Sequence, residues 1–148
     1  MLNDAVENLR YMDEADKVTM HRKITQEGDF LTDPMRLGIV FNNLVSNSVK
    51  YQDHKKENPE ITVEIIAGPE EAVITLSDNG IGIPEVHLSK VFDLFFRASI
   101  QSTGTGLGLY ITRSAIEYLG GTVEIISKVG EGTVFKIRLP NGGARIKS

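Results

Sequence analysis

The sequence predicts a two-layer α/β sandwich, one sheet covered on one face by helices. Three observations point to it. Leu37, Val40, Phe41, Leu44 and Val45, continued by the small Ser48, repeat with the 3.6-residue period of a helix packed on a sheet. Ile61 to Ile66 and Ala72 to Ser77 are β-rich runs joined by Ala67-Gly68-Pro69-Glu70-Glu71, the pattern of an antiparallel hairpin. Thr122 to Ser127 and Thr133 to Leu139, linked through Lys128-Val129-Gly130-Glu131-Gly132, form a second hairpin near the end of the chain. The order of the strands within the sheet is not readable from these patterns.

The remaining elements follow in turn. Leu2, Val6, Leu9 and Met12 are spaced as a first helix, and Val18 to Ile24 reads as a strand. Asp33-Pro34 supplies an N-cap and a proline at the first helical position, so the long helix starts there and runs to about Tyr51. Polar Gln52 to Glu60 ends it. A short helix near Glu85 to Val91 leads to a Phe-rich segment, Phe92 to Arg97, and Arg97 to Thr105 is polar and without periodicity, a loop. Leu107 to Leu119 returns to helical spacing, stopped by Gly120-Gly121.

With 148 residues, 41% hydrophobic and 24% charged, the chain is expected to form a single domain over residues 1–148. At this size roughly 70% of the unfolded surface is buried. A formal net charge of -4 argues against a nucleic-acid partner, because counterion release needs clustered Lys and Arg. The absence of cysteine removes disulfides and thiolate metal sites. No apolar run approaches the ~20 residues of a membrane span, and no signal peptide is visible. Because the chain opens directly into a helical pattern and stops soon after its last strand, it is expected to be a piece of a longer protein.

Four short segments carry chemistry. Asn43 and Asn47 are four residues apart on the long helix and so share a face, with Lys50 following on it. Two amides and an ammonium there suit a magnesium triphosphate, although a solvated helix face reads the same way. Asp78-Asn79-Gly80-Ile81-Gly82-Ile83-Pro84 ends a β-rich run. The Asp78 carboxylate could accept a hydrogen bond from an exocyclic amine while Gly80 and Gly82 let a flat base approach the backbone; a strand-end turn is the other reading. Gly104-Thr105-Gly106-Leu107-Gly108-Leu109 precedes a helix and offers backbone N–H groups to phosphate oxygens. It is not preceded by a strand, which speaks against a dinucleotide fold. Phe92, Phe95 and Phe96 fit a core, and Arg97 stands at the base of a loop. His21, His54 and His87 have no nucleophile or metal partner at useful spacing.

These segments, in this order, resemble the catalytic ATP-binding domain of bacterial sensor histidine kinases, within the wider family that includes gyrase, the MutL repair proteins and the heat-shock chaperone. Asn43 to Tyr51 is similar to the asparagine box, Asp78 to Gly82 to the first glycine box, Phe92 to Arg97 to the phenylalanine box and Gly104 to Leu109 to the second glycine box. The resemblance implies a mixed sheet, ATP and magnesium as ligands, and roles for individual residues. Asn47 would hold magnesium with help from Asn43, Lys50 would meet phosphate and Tyr51 would pack on adenine. Asp78 would accept from the adenine amine with Thr133 supporting it through water, and Gly80, Gly82, Ile83 and Phe95 would line the nucleotide site. Gly104, Thr105, Gly106, Leu107, Gly108 and Leu109 would approach the phosphates. Arg97 would reach the terminal phosphate or the partner domain, and residues 97 to 106 would form an ATP lid.

The activity implied is transfer of the γ-phosphoryl group to a histidine on a separate dimerisation and phosphotransfer domain, with a response regulator downstream. The expected setting is cytoplasmic, without direct membrane contact. No histidine here has the acceptor pattern of such kinases: His21 is followed by Arg22 and Lys23, not by an acidic residue. The acceptor is therefore expected elsewhere. A hydrolytic ATPase of the same family and a nucleotide-binding module without chemistry are the competing readings. Against hydrolysis, the position at which relatives carry a water-activating glutamate is Asn43, whose neutral amide is no base.

Overall fold

The computed structural model describes residues 19–53, 55–93 and 108–142. The expected first helix, the lid and most of the second glycine box lie outside the described residues, as do Phe95, Phe96 and Arg97. In chain order the described elements are β1 (Thr19–Gln26), α1 (Pro34–Lys50), β2 (Glu60–Ala67), β3 (Glu71–Asp78), α2 (Glu85–Leu88), α3 (Gly108–Tyr118), β4 (Thr122–Lys128) and β5 (Gly132–Pro140). Each expected element within these residues is present. The largest differences are at β1, which runs to Gln26 rather than Ile24, and α2, which stops at Leu88 rather than Val91.

The five strands form one sheet in the order β1-β2-β3-β5-β4. β1 pairs parallel with β2 and the other pairs are antiparallel, so the sheet is mixed. A parallel neighbour requires a crossover, which α1 supplies between β1 and β2. The two hairpins, β2–β3 and β4–β5, are the ones the turn sequences predict.

Alternation decides which face the helices cover. In β2, Ile61, Val63, Ile65 and Ala67 are buried; in β3, Ala72, Ile74 and Leu76; in β5, Phe135, Ile137 and Leu139. Register places them in rows across the sheet, such as Ile65, Ile74 and Ile137, or Val63, Leu76 and Phe135. Against these rows α1 lays Leu37, Val40, Phe41, Leu44 and Val45, and α3 lays Ala115 and Ile116. Phe92 meets Phe135 edge-on with ring centroids 6.3 Å apart, so it is packed against the core.

α1 and α3 run antiparallel, with both ends of α3 pinned to α1. The Arg36 guanidinium lies 3.6 Å from the centre of the Tyr118 ring at one end. At the other the Asn43 amide donates to the Gly108 carbonyl at 3.2 Å. The start of α1 is a conventional cap: Asp33 Oδ1 accepts from the Met35 and Arg36 amides at 3.0 and 3.3 Å, and Asp33 Oδ2 accepts from Arg36 Nη1 at 2.6 Å.

The Arg36 side chain, with the two backbone amides, outweighs desolvation and holds the Asp33 carboxyl below its ordinary value of 3.8. Its contribution to stability is therefore complete above that value and is lost as pH falls through the lowered one. Asp33→Ala is expected to cost about 1 kcal/mol of unfolding free energy at neutral pH. Urea titrations of the two proteins should show this gap closing below pH 3.8; a gap that persists there would assign the loss to something other than the ionised cap.

Candidate functional site

The apolar rows of the sheet run out at one end, and the site begins there. Counting along β3, the core-facing positions are Ala72, Ile74, Leu76 and then Asp78; along β5 in reverse they are Leu139, Ile137, Phe135 and then Thr133. Asp78 is paired with Thr133, and Thr133 with Ser127 of β4, so one row of the inner face reads Ile61, Asp78, Thr133, Ser127. The stripe of α1 ends in the same way, its last buried residue being Ser48 after Leu44 and Val45. Polar residues that occupy core-facing positions on three strands and one helix thus converge.

Their polar atoms are satisfied by one another, and among the described residues no buried side-chain nitrogen or oxygen lacks a partner. Asp78 Oδ2 accepts from Ser48 Oγ at 2.9 Å, and Oδ1 accepts from the Gly80 amide at 2.8 Å. Burial pushes the Asp78 carboxyl above its ordinary value. The Gly80 amide, the Ser48 hydroxyl, the Thr133 backbone and the Lys56 ammonium pull the other way, in that order. A carboxylate desolvated yet held by donors is an acceptor for one more N–H group of a ligand.

Ser127 serves the same row from the other side. Its hydroxyl accepts from the Ile83 amide at 2.8 Å, donates to the Gly132 carbonyl at 2.9 Å and lies 2.8 Å from Thr133 Oγ1. The first glycine box is therefore tied to the β4–β5 hairpin. It is also tied to the end of α1, because the Ile81 amide donates to the Tyr51 carbonyl at 3.1 Å, and again to the β4–β5 turn, where the Gly130 amide donates to the Ile81 carbonyl at 2.9 Å.

This docking gives the glycines a different reason from the one their pattern suggests. A Cβ on Gly80 would stand 2.6 Å from the Tyr51 carbonyl oxygen, and one on Gly82, whose φ is +76°, would collide with the Lys128 carbonyl. The space each leaves free is taken by the protein's own backbone, which lets the loop wedge between the end of α1 and the β4–β5 turn. Asn79, between them, fixes the other flank: its side chain accepts from the Glu60 amide at 2.8 Å and donates to the Asn58 carbonyl at 2.9 Å.

The asparagine box lies along α1 beside this loop. Asn43 is half-buried, and because its Nδ2 is the donor to Gly108, its Oδ1 is the atom left for another partner. The same Gly108 carbonyl accepts from the buried Thr112 hydroxyl at 2.8 Å. Asn47 is half-buried one turn further on and Lys50 is exposed in the last turn, its Nζ 5.9 Å from the centre of the Tyr51 ring. Tyr51 caps the helix, its amide donating to the Asn47 carbonyl at 2.9 Å. Leu109 is half-buried against the core.

Of the residues singled out in the sequence, the structure gathers Asp78, Gly80, Gly82, Ile83 and Thr133 with Tyr51 at the end of α1, and Asn43 with Gly108 at the start of α3. Phe95, Arg97, Gly104, Thr105, Gly106 and Leu107 lie outside the described residues. Ser48 and Ser127 were missed. For Ser48 the signal was present: a hydroxyl at a position where the helical period calls for an apolar side chain. For Ser127 only the register across β5 reveals it.

Residues 32–143 match the family model for histidine kinase-, DNA gyrase B- and HSP90-like ATPases, and the chain belongs to that family. It is an ATP-binding domain. Over 109 residues it is 37% identical to the sensor protein SrrB of Staphylococcus aureus, a match covering 71% of this chain and 18% of that protein's length. Its fold matches the catalytic domain of the histidine kinase ThkA with a TM-score of 0.75 at 25% identity, covering 95% of this chain and 94% of that one. The mycobacterial sensor histidine kinase MprB shares the fold with the same TM-score at 24% identity, covering 95% and 93%.

Gly82→Ala and Gly130→Ala separate strain from collision. Both glycines have positive φ, +76° and +83°, but a Cβ on Gly130 meets nothing within 4 Å. Gly130→Ala is expected to cost about 1 kcal/mol and Gly82→Ala about 2–4 kcal/mol by denaturant unfolding. Equal losses would show that the Lys128 contact does not constrain the loop.

Proposed function

We propose that this chain is the catalytic domain of a sensor histidine kinase, binding magnesium ATP and donating the γ-phosphoryl group to a histidine on a separate dimerisation and phosphotransfer domain of the same kinase. The observation that carries the nucleotide half of this reading is the Asp78 carboxylate, desolvated at the end of β3 and held by Ser48 and Gly80. It accepts the exocyclic amine of adenine, with Thr133 beside it and Ile83 and Tyr51 on the adjoining loop and helix end. The transfer half is supported by the sensor-kinase relatives. The chain spans 18% of the length of the relative above, which supports reading residues 1–148 as one domain of a longer sensor protein. The response regulator is the downstream acceptor, and the domain works in the cytoplasm. No helix among the described residues is long and apolar enough to cross a membrane.

The phosphates extend from the base toward Asn43, Asn47 and Lys50. Among the described residues no group of three or more His, Cys, Asp and Glu side chains could hold a metal ion. A magnesium ion would be held by amide oxygen from Asn47, with Asn43 Oδ1 assisting, and by the nucleotide itself, a donor set that suits this cation. It would supply charge neutralisation between the phosphates. Lys50 adds a point charge near them; Arg97 would reach the terminal phosphate or the partner domain, and Phe95 and the Gly104 to Leu109 segment would bind the nucleotide. Asn43 uses its amide to hold α3 through Gly108 and has no basicity with which to activate water, which favours transfer over hydrolysis.

Asn47→Ala is expected to weaken ATP binding about 10-fold or more in magnesium and far less in EDTA, measured by calorimetry. Equal loss in both buffers would remove Asn47 from the metal site.

Incubated alone with labelled ATP and magnesium, the domain is expected to stay unlabelled, since phosphoryl transfer needs an acceptor placed in line with the γ-phosphate. Mixed with the dimerisation and phosphotransfer domain of its own kinase, it should label that domain slowly, at a rate that rises with concentration. The label should be acid-labile and base-stable. Label on this chain alone, or rapid phosphate release without a partner, would overturn the kinase reading.

A further inference from the structure

Ser48 is 4% exposed and stands in the last buried position of a stripe otherwise built from Leu, Val and Phe. An alanine would fill that position with better helix propensity. A serine inside a helix has a default partner in the carbonyl four residues back, here that of Leu44. Its hydroxyl instead lies 2.9 Å from Asp78 Oδ2. A hydroxyl carries a single proton, so what Ser48 gives to Asp78 it withholds from its own helix.

We propose that Ser48 is a specificity-determining positioning residue: its hydroxyl, committed to Asp78 Oδ2, holds that carboxylate in the acceptor-only form and orientation that admits an adenine amine and turns away a guanine carbonyl. This deepens the ATP-binding reading and rests on it. The chemistry follows from the donors at each oxygen. Oδ1 faces the Gly80 amide, which can only donate, so a carboxyl proton has no acceptor in that direction. Oδ2 faces Ser48, which can either donate or accept. In the wild type a proton taken up at Oδ2 can therefore point at Ser48 Oγ, away from the ligand, while Ser48 turns its own proton to the helix. In Ser48→Ala the proton loses that partner and is free to face the ligand, where a guanine oxygen placed at the position of the adenine amine would find a donor instead of a repulsive lone pair.

The other groups around Asp78 leave this choice to Ser48. From β5 the Thr133 backbone faces the carboxylate, from the loop after α1 the Lys56 ammonium adds a positive field, and from β2 the paired residue is the apolar Ile61. Burial opposes all of them by favouring the neutral carboxyl. Without the Ser48 donor the balance moves toward burial, and Asp78 takes up its proton at higher pH.

The test uses the whole chain with Ser48→Ala and Ser48→Thr. The carbon-13 shift of the Asp78 carboxyl is titrated without nucleotide, and ATP and GTP affinities are compared over the same pH range. In Ser48→Ala the titration midpoint should rise and the ATP-over-GTP preference should shrink about 3- to 10-fold, more so on acidification; Ser48→Thr should keep both near the wild-type values. Comparing variants at each pH cancels the phosphates' own titration. Ser48→Ala with an unchanged midpoint, or with a raised midpoint and unchanged preference, would overturn the proposal. If wild type binds ATP through Asp78, shown by weaker binding of Asp78→Ala, those outcomes sink this inference alone. A wild-type chain without ATP affinity would sink the nucleotide reading and this inference together.

Discussion

The Asp78 carboxylate is placed where a hydrophobic core would ordinarily continue, and the donors from Ser48 and Gly80 make that placement tolerable. An ionised carboxylate taken out of water without partners is costly enough that it would neutralise instead. Here two elements must arrive together to prevent it: the last turn of α1, which brings the hydroxyl, and the turn after β3, which brings the amide. Neither helix nor turn has that position by itself. The sheet sets it, because Asp78 faces the core only in the register that also buries Ala72, Ile74 and Leu76. A slip of one residue would bury the other alternate set of β3 side chains and swing the carboxylate to the opposite face.

The same dependence explains the loop that follows. Asp78 to Pro84 crosses from the sheet to α2 by lying between two backbone segments, the carbonyl end of α1 at Tyr51 and the β4–β5 turn at Lys128 to Gly130. Backbone lies against backbone on both sides, closer than any Cβ allows at Gly80 and Gly82. The Asp78 carboxylate and the helix that carries Asn43, Asn47 and Lys50 are thereby joined through a few main-chain hydrogen bonds. At the far end of α1 the Asp33 cap and the Arg36 stack on Tyr118 hold the helix against α3. The α3 start, in turn, is held by Asn43, so the asparagine box is also a structural clasp.

Much of this was legible in the chain. The helix of α1, its cap at Asp33, both hairpins and the glycine stop after α3 follow from local periodicity and turn chemistry, which depend on neighbours in sequence. The four boxes in family order identified the ATP-binding class before any coordinates. Other features were not legible for a physical reason. That β1 lies parallel to β2, extends to Gln26 and borders the sheet depends on pairing between segments far apart in sequence. Ser48 read as a small residue in an apolar stripe because periodicity reports which face a residue is on and says nothing of what waits opposite. Ser127 had no local signal at all. It became visible only when register set it beside Thr133 and under Ile83.

The glycine box shows where the two kinds of information divide. From the sequence by itself came the class of fold, the helices and hairpins, the family, and the fact that Asp78 is followed by residues without side chains. Those are properties of composition and spacing, and short-range physics is enough to fix them. The tertiary structure decided that the glycines make room for Tyr51 and Lys128, that the end of the apolar rows is a chain of hydroxyls and one carboxylate, and that Ser48 is the residue that meets it. These depend on which distant backbone atoms come within hydrogen-bond reach, a distance that no spacing along the chain encodes.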